Sequence, residues 1–189
     1  MAPDRPQRAE FARPQEITRK HGTAGFACGK PALDEWLQRH ALKSHHKGDA
    51  RVLVVCDASL RVLAYVAVCA ASVERKEAAA KIRRNAPNPI PMGLIARLAV
   101  TEEAQGRRIG PALLREAIFR IINAGEHIGI RGILVHAMDE DAANFYLRMG
   151  FSPSPIDEMT LMVSIEEIRQ SLAPGPQQGR PVGNQSTTG

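Results

Sequence analysis

Apolar residues recur along this chain in helical and in strand-like patterns. Pro31 stands at a helix start, and Leu33, Trp36, Leu37 and Ala41 follow at i, i+3, i+4 and i+8, which predicts an amphipathic helix reaching about Lys43. Residues 51–57 (RVLVVCD) and 62–71 (VLAYVAVCAA) are apolar runs joined by a short link, and they read as an antiparallel strand pair. Residues 73–84 are helix-prone but strongly charged, and they run into 85–91 (NAPNPIP), whose three prolines enforce an extended loop. An apolar strand follows at 94–100, interrupted only by Arg97. Between Gly110 and Ala124, the residues Leu113, Leu114, Ala117, Ile118, Ile121 and Ile122 share one arc, and Arg115, Glu116, Arg120 and Asn123 the other, as in a helix lying on a sheet. Residues 133–138 form a buried strand. Asp139 can cap a helix reaching Arg148, Gly150 can end it in the left-handed conformation, and 160–164 supplies a last strand. This order predicts an α/β protein with a mixed sheet.

Both ends are expected to be disordered. Residues 1–15 are rich in Pro and Arg, and 173–189 hold almost no large apolar side chain, leaving a single folded unit over 16–172. A chain of 189 residues, 44% hydrophobic and 24% charged, can close a core without staples, and no apolar run approaches the roughly 20 residues of a membrane span. The polar N-terminus lacks the apolar centre of a secretory signal, which predicts a cytoplasmic protein without a membrane role. Cys28, Cys56 and Cys69 lack paired spacing, as do His45, His46 and His136, so neither a disulfide framework nor a metal site is expected. The net charge of +5 favours polyanionic partners, either nucleic acid or a phosphorylated cofactor, without choosing between them.

Residues 98–110 pass from a strand through a turn rich in Gly and Arg into the long helix. Unpaired amides at a helix start and the positive end of its dipole can hold a diphosphate, and Arg107 and Arg108 add charge. An ordinary strand-to-helix turn shares this pattern. There is no Gly-Lys-Ser/Thr run here for a nucleoside triphosphate, and coenzyme A fits better.

The text Gln105-Gly-Arg-Arg-Ile-Gly110 resembles the acetyl-CoA loop of GNAT N-acetyltransferases, and Asn144-Phe-Tyr-Leu-Arg-Met-Gly-Phe151 resembles that family's Asn, Phe-Tyr and Gly-Phe region. Phe26-Ala-Cys-Gly29, Leu33-Asp-Glu-Trp-Leu37, Ala96-Arg-Leu-Ala-Val100, Leu134-Val-His-Ala137 and Gly150-Phe-Ser-Pro-Ser-Pro155 are similar, in the same order, to GNAT toxins of type II toxin–antitoxin modules, which acetylate the α-amine of aminoacyl-tRNA and stop translation. Two departures stand out: Arg108 occupies the place of the loop's middle glycine, and Pro111 follows the last one.

The resemblance implies a GNAT fold, with antiparallel N-terminal strands, a splayed parallel pair and helices on both faces. It also implies acetyl-CoA as co-substrate and no metal. Backbone groups of Leu98, Ala99 and Val100 would lie along the cofactor arm, and Gln105, Gly106, Arg107, Arg108, Ile109 and Gly110 would hold the diphosphate. Asn144 matches a position that often touches the cofactor. Tyr146 would return a proton to the departing thiolate, a role that suits a phenol of pKa ~10 against a thiol of ~8.5. An α-amine titrates near pH 8, so water can serve as base.

Lys76, Lys81, Arg83 and Arg84 are candidate tRNA phosphate contacts, although charge runs are more often solvated helix faces; Arg97 is either a further contact or a buried structural charge. A homodimer, a small ribbon-helix-helix antitoxin, and operator DNA bound only through that antitoxin complex follow from the resemblance alone. Two other readings compete: a GNAT enzyme acting on a small amine or a protein N-terminus, and a non-catalytic module binding nucleic acid or CoA.

Overall fold

The computed structural model describes residues 11–172. Seven strands form one sheet in the order β1-β2-β3-β4-β5-β7-β6. They are β1 (Gln15–Glu16), β2 (Arg51–Cys56), β3 (Val62–Val73), β4 (Ile90–Val100), β5 (Gly132–His136), β6 (Ser152–Ser154) and β7 (Asp157–Ser164). Among these strands of the described residues, only β4 and β5 pair in parallel. That pairing follows from the crossover helix α4 (Ile109–Gly125), which returns the chain to the end of the sheet where β4 begins, as a parallel connection requires.

Alternation along the strands gives each face its own cover. On one face α4 and α5 (Glu140–Arg148) bury Val66, Ile95, Leu113, Leu114, Ile121, Ile133 and Val135. On the other, α1 (Pro31–Trp36) continues through a π-helical turn at Leu37–Ala41 into α2 (Leu42–Lys47), above Val52, Val54, Tyr65 and Ala67. The short α3 (Ala80–Arg83) covers Met92, Leu134 and Met162 on that same side.

The antiparallel pair, the strand-helix-strand unit and both caps of α5 form where the sequence puts them. Asp139 accepts the Ala142 amide at 2.9 Å, and Gly150 adopts φ +91°. Other expectations are corrected. The first helix runs past Lys43 to Lys47 and stops where Gly48 turns left-handed. The segment expected to be helical over 73–84 is helical only at α3, because its first residue, Val73, pairs with Ile90. The same pairing recruits Ile90 and Pro91 from the proline-rich loop into β4. Strand β7 begins at Asp157 rather than 160, and a further helix α6 (Ile165–Leu172) follows it. The N-terminal boundary at 16 also falls too late. Phe11 packs against the α4 core, Ala12 N–H bonds the Cys56 carbonyl at 3.3 Å, and Gln15 pairs with Val54. The rest of the expected disordered ends, 1–10 and 173–189, lies outside the described residues.

Candidate active site

The site begins as an irregularity in β4. Arg97 lies opposite Ala67 and Ile95 opposite Val68, so Ala96 is an extra residue that bends the strand. Pairing with β5 ends at Ile95–Val135, and beyond it β4 and β5 part. The wedge between them is a cavity of about 350 Å³. It is walled by Ala96–Val100, by 135–138, by the first turns of α5, and by Cys28 and Lys30 in the approach to α1. Edge amides of β4 in this stretch have no β5 neighbour, so they remain available to polarise a carbonyl placed in the wedge.

At the end of β4 the chain makes a tight turn into α4. Thr101 bonds the Ala27 carbonyl through its hydroxyl at 3.1 Å, and Gln105 donates its side-chain amide to the carbonyls of Val100 at 3.0 Å and Cys28 at 3.2 Å. Gln105 therefore braces the loop against β4 and the residues before α1. Gly106 takes φ +74° and Arg108 φ +60°. Arg108 thus adopts the left-handed conformation for which a glycine is the easier choice, which accounts for the glycine expected there. It caps α4 without a side-chain hydrogen bond. Among the described residues the amides from Gly106 to Gly110 donate to no protein acceptor. A row of free amides at the start of a 17-residue helix fits a diphosphate. The Arg107 guanidinium lies 4.3 Å over the Phe11 ring, and Ile109 is buried, so these two residues can offer the loop their backbone.

Tyr146 rises from α5 into the wedge. Phe145 and Phe151 hold its ring edge-on, with centroids 5.1 and 5.6 Å away, and only 5% of the residue is exposed. Among the described residues its hydroxyl has no hydrogen-bond partner, yet it is not a sealed unsatisfied group, so it opens to the cavity. Burial pushes the phenol pKa well above its ordinary value and keeps it protonated. Lys30 bridges the mouth of the wedge to Asp139 at 2.5 Å. With the Ala142 amide, Lys30 holds that carboxyl below the usual range.

The wedge gathers Arg97, Leu98, Ala99, Val100, Gln105, Gly110 and Tyr146, all predicted from sequence. Asn144 is exposed on α5 outside the lining. Lys76, Lys81, Arg83 and Arg84 are exposed outside it too. Lys81 is engaged by Glu167 at 2.6 Å. Arg97 is half-buried with its guanidinium 4.3 Å over Trp36, which itself stacks on Tyr65. Sequence reading missed Lys30, Asp141, Phe145 and His136 in the lining. His136 could have been found, because ligands gather beyond the C-terminal ends of parallel strands and it ends β5. A larger cavity of about 580 Å³ lies elsewhere, between α4 and the strands, around Val68, Gly93, Phe119 and Ile121. Among the described residues no three His, Cys, Asp or Glu side chains converge as a metal site.

A bulged, splayed parallel pair with an amide-rich turn entering the crossover helix defines an acyl-CoA-dependent acyltransferase. Residues 48–153 match the acetyltransferase (GNAT) domain, and the chain belongs to the GNAT acetyltransferase family. It is 38% identical to the tRNA-acetylating toxin of Mycobacterium tuberculosis, over 84% of this chain and 95% of that protein. It also superposes on AtaT solved with acetyl-methionyl-tRNAfMet (TM-score 0.80, 26% identity, 87% of this chain and 100% of that one). A third likeness is to AtaT carrying a Tyr-to-Phe change, bound to acetyl-CoA and the C-terminus of the antitoxin AtaR (TM-score 0.73, 26% identity, 85% and 98%).

Proposed function

We propose that this protein is the toxin of a type II toxin–antitoxin module, an enzyme that moves acetyl from acetyl-CoA to the α-amine of aminoacyl-tRNA and so blocks translation. The observation that carries this reading is the wedge itself, which has the free amide row at one end and the Tyr146 hydroxyl inside it. Arg97 also lines it, and Lys76, Arg83 and Arg84 are exposed cations of the segment before β4. Its resemblance over nearly the whole length of a tRNA-acetylating toxin supports the choice of acceptor.

In this reading the amides from Gly106 to Gly110 and the charge of Arg108 hold the diphosphate of acetyl-CoA. The backbone of Leu98, Ala99 and Val100 orients the acyl arm, and Tyr146 Oη gives its proton to the departing sulfur. Arg97, Lys76, Arg83 and Arg84 neutralise phosphates of the acceptor arm, which positions tRNA without reading its sequence. The protein acts in the cytoplasm as a homodimer. A ribbon-helix-helix antitoxin silences it and carries the complex to operator DNA.

The test is incubation with labelled acetyl-CoA and total charged tRNA. Label on the aminoacyl moiety supports the proposal. Label only on small amines or protein N-termini would move it to another acceptor, and no label anywhere would replace the enzyme with a binding module.

A further inference from the structure

His136 ends β5 just past the last β4 pairing, and it lines the wedge. Its side chain projects opposite to that of Val135. It therefore shares the α1/α3 face with Leu134, whereas Tyr146 reaches the wedge from the α5 face. Directly across the ladder, Thr160 Oγ1 lies 2.8 Å from His136 Nδ1 and donates its own proton to Asp157 Oδ2 at 2.6 Å. A hydroxyl has one hydrogen. With that hydrogen committed to a carboxylate, Thr160 can only accept from His136, so Nδ1 carries a proton and the lone pair of the uncharged tautomer falls at Nε2. Among the described residues nothing pairs with Nε2. The Thr160 hydroxyl and the Met159 amide keep the Asp157 carboxyl below its usual range, so this end of the chain stays ionised at neutral pH.

We infer that His136 is the base of the transfer, with Thr160 and Asp157 as positioning residues that fix its tautomer. This rests on the acetyl-transfer reading above and adds the missing proton acceptor. The incoming amine forms the N–C bond and passes one proton to His136 Nε2. The C–S bond breaks, and the sulfur leaves with the electron pair and takes one proton from Tyr146 Oη. Water then carries the proton on His136 back to the Tyr146 phenolate, so the balance closes without any other reactant. Acid and base thus approach the wedge from opposite faces of the sheet, with the acceptor arriving on the side of Arg97. Asp157 reaches the ring by way of Thr160, and the other charged and titratable groups, which line the wedge with His136, are Arg97, Lys30, Asp139, Asp141, Cys28 and Tyr146.

The test compares wild type, His136→Gln, His136→Ala and Thr160→Val on charged tRNA and on glycinamide, a small α-amine, between pH 6.5 and 9. Expected for His136→Gln is a kcat lower by roughly 10²-fold at pH 6.5, with KM for acetyl-CoA unchanged. That deficit should shrink toward pH 9, where hydroxide becomes available to take the proton that the attacking amine sheds. Added imidazole should partly restore His136→Ala, and Thr160→Val should show a smaller loss with the same pH trend. Wild-type kcat in His136→Gln, or a deficit equal at every pH and untouched by imidazole, would overturn the inference. A failed acceptor assignment shows separately, as wild-type protein that acetylates glycinamide but leaves charged tRNA unlabelled. Wild type inactive on both would overturn both readings.

Discussion

Single residues divide here into those whose chemistry is visible in the chain and those whose geometry is not. Tyr146 belongs to the first kind. Replacing it with Phe keeps the edge-on packing on Phe145 and Phe151 and removes only the hydroxyl. We expect turnover to fall by roughly 10²–10⁴-fold while acetyl-CoA affinity measured by calorimetry stays near wild type; a Phe variant at full rate would take Tyr146 out of the chemistry. Arg108 belongs to the second kind, since its left-handed φ of +60° is set by the turn it must make. Arg108→Gly relieves about 1–2 kcal/mol of backbone strain and gives back about 0.5–1 kcal/mol through the freer unfolded chain. Stability should therefore rise by no more than about 1.5 kcal/mol in urea unfolding, while acetyl-CoA binds more weakly because a cation is gone. A variant that binds acetyl-CoA as tightly as wild type would show that the amides alone hold the diphosphate.

At the scale of elements, the long periodic segments were legible and the short ones were not. The arc of α4 and the runs of β2 and β3 repeat their period often enough to be read, whereas β1 and β6, of two and three residues, have no period to read. The charged stretch before the prolines was misread because helix propensity is local, while Val73 and Ile90 meet only through the sheet. Close approach between elements is equally silent in sequence. A Cβ on Gly93 would stand 2.4 Å from Ile121 Cγ2 of α4, so this glycine lets the crossover helix lie flat on β4. Gly93→Ala should cost about 1–3 kcal/mol, lowering Tm by about 2–4 °C for each. An unchanged Tm in scanning calorimetry would mean that α4 shifts freely.

The whole molecule responds to alkali through its buried acids. Burial pushes the Cys56 and Cys28 thiols up to about 11, raises Cys69, and carries the phenols of Tyr65 and Tyr146 further still. Each of these groups holds its proton longer when folded than when unfolded. Their contribution is intact below the ordinary thiol pKa near 8.5, and it is lost as pH climbs toward the folded values because the unfolded chain ionises first. Tm should be level from pH 7 to 8 and fall steadily between about 9 and 11, and Cys56→Ala should start from a lower Tm but fall less steeply. A level Tm up to pH 10.5 would contradict the burial of these groups.

What the sequence determined by itself is local and repetitive: the amphipathic arcs, the cap at Asp139, the stop at Gly150, the amide-rich turn into α4 and the presence of Tyr146 after Phe145. These depend on residues a few positions apart, which neighbouring side chains and backbone amides settle between themselves. Tertiary structure alone decided where β4 bulges and leaves β5, that Gln105 braces the loop, and that His136 meets Thr160 and Asp157 across the ladder. Those arrangements join segments tens of residues apart, and strand register, which no local period encodes, chooses which side chains face each other.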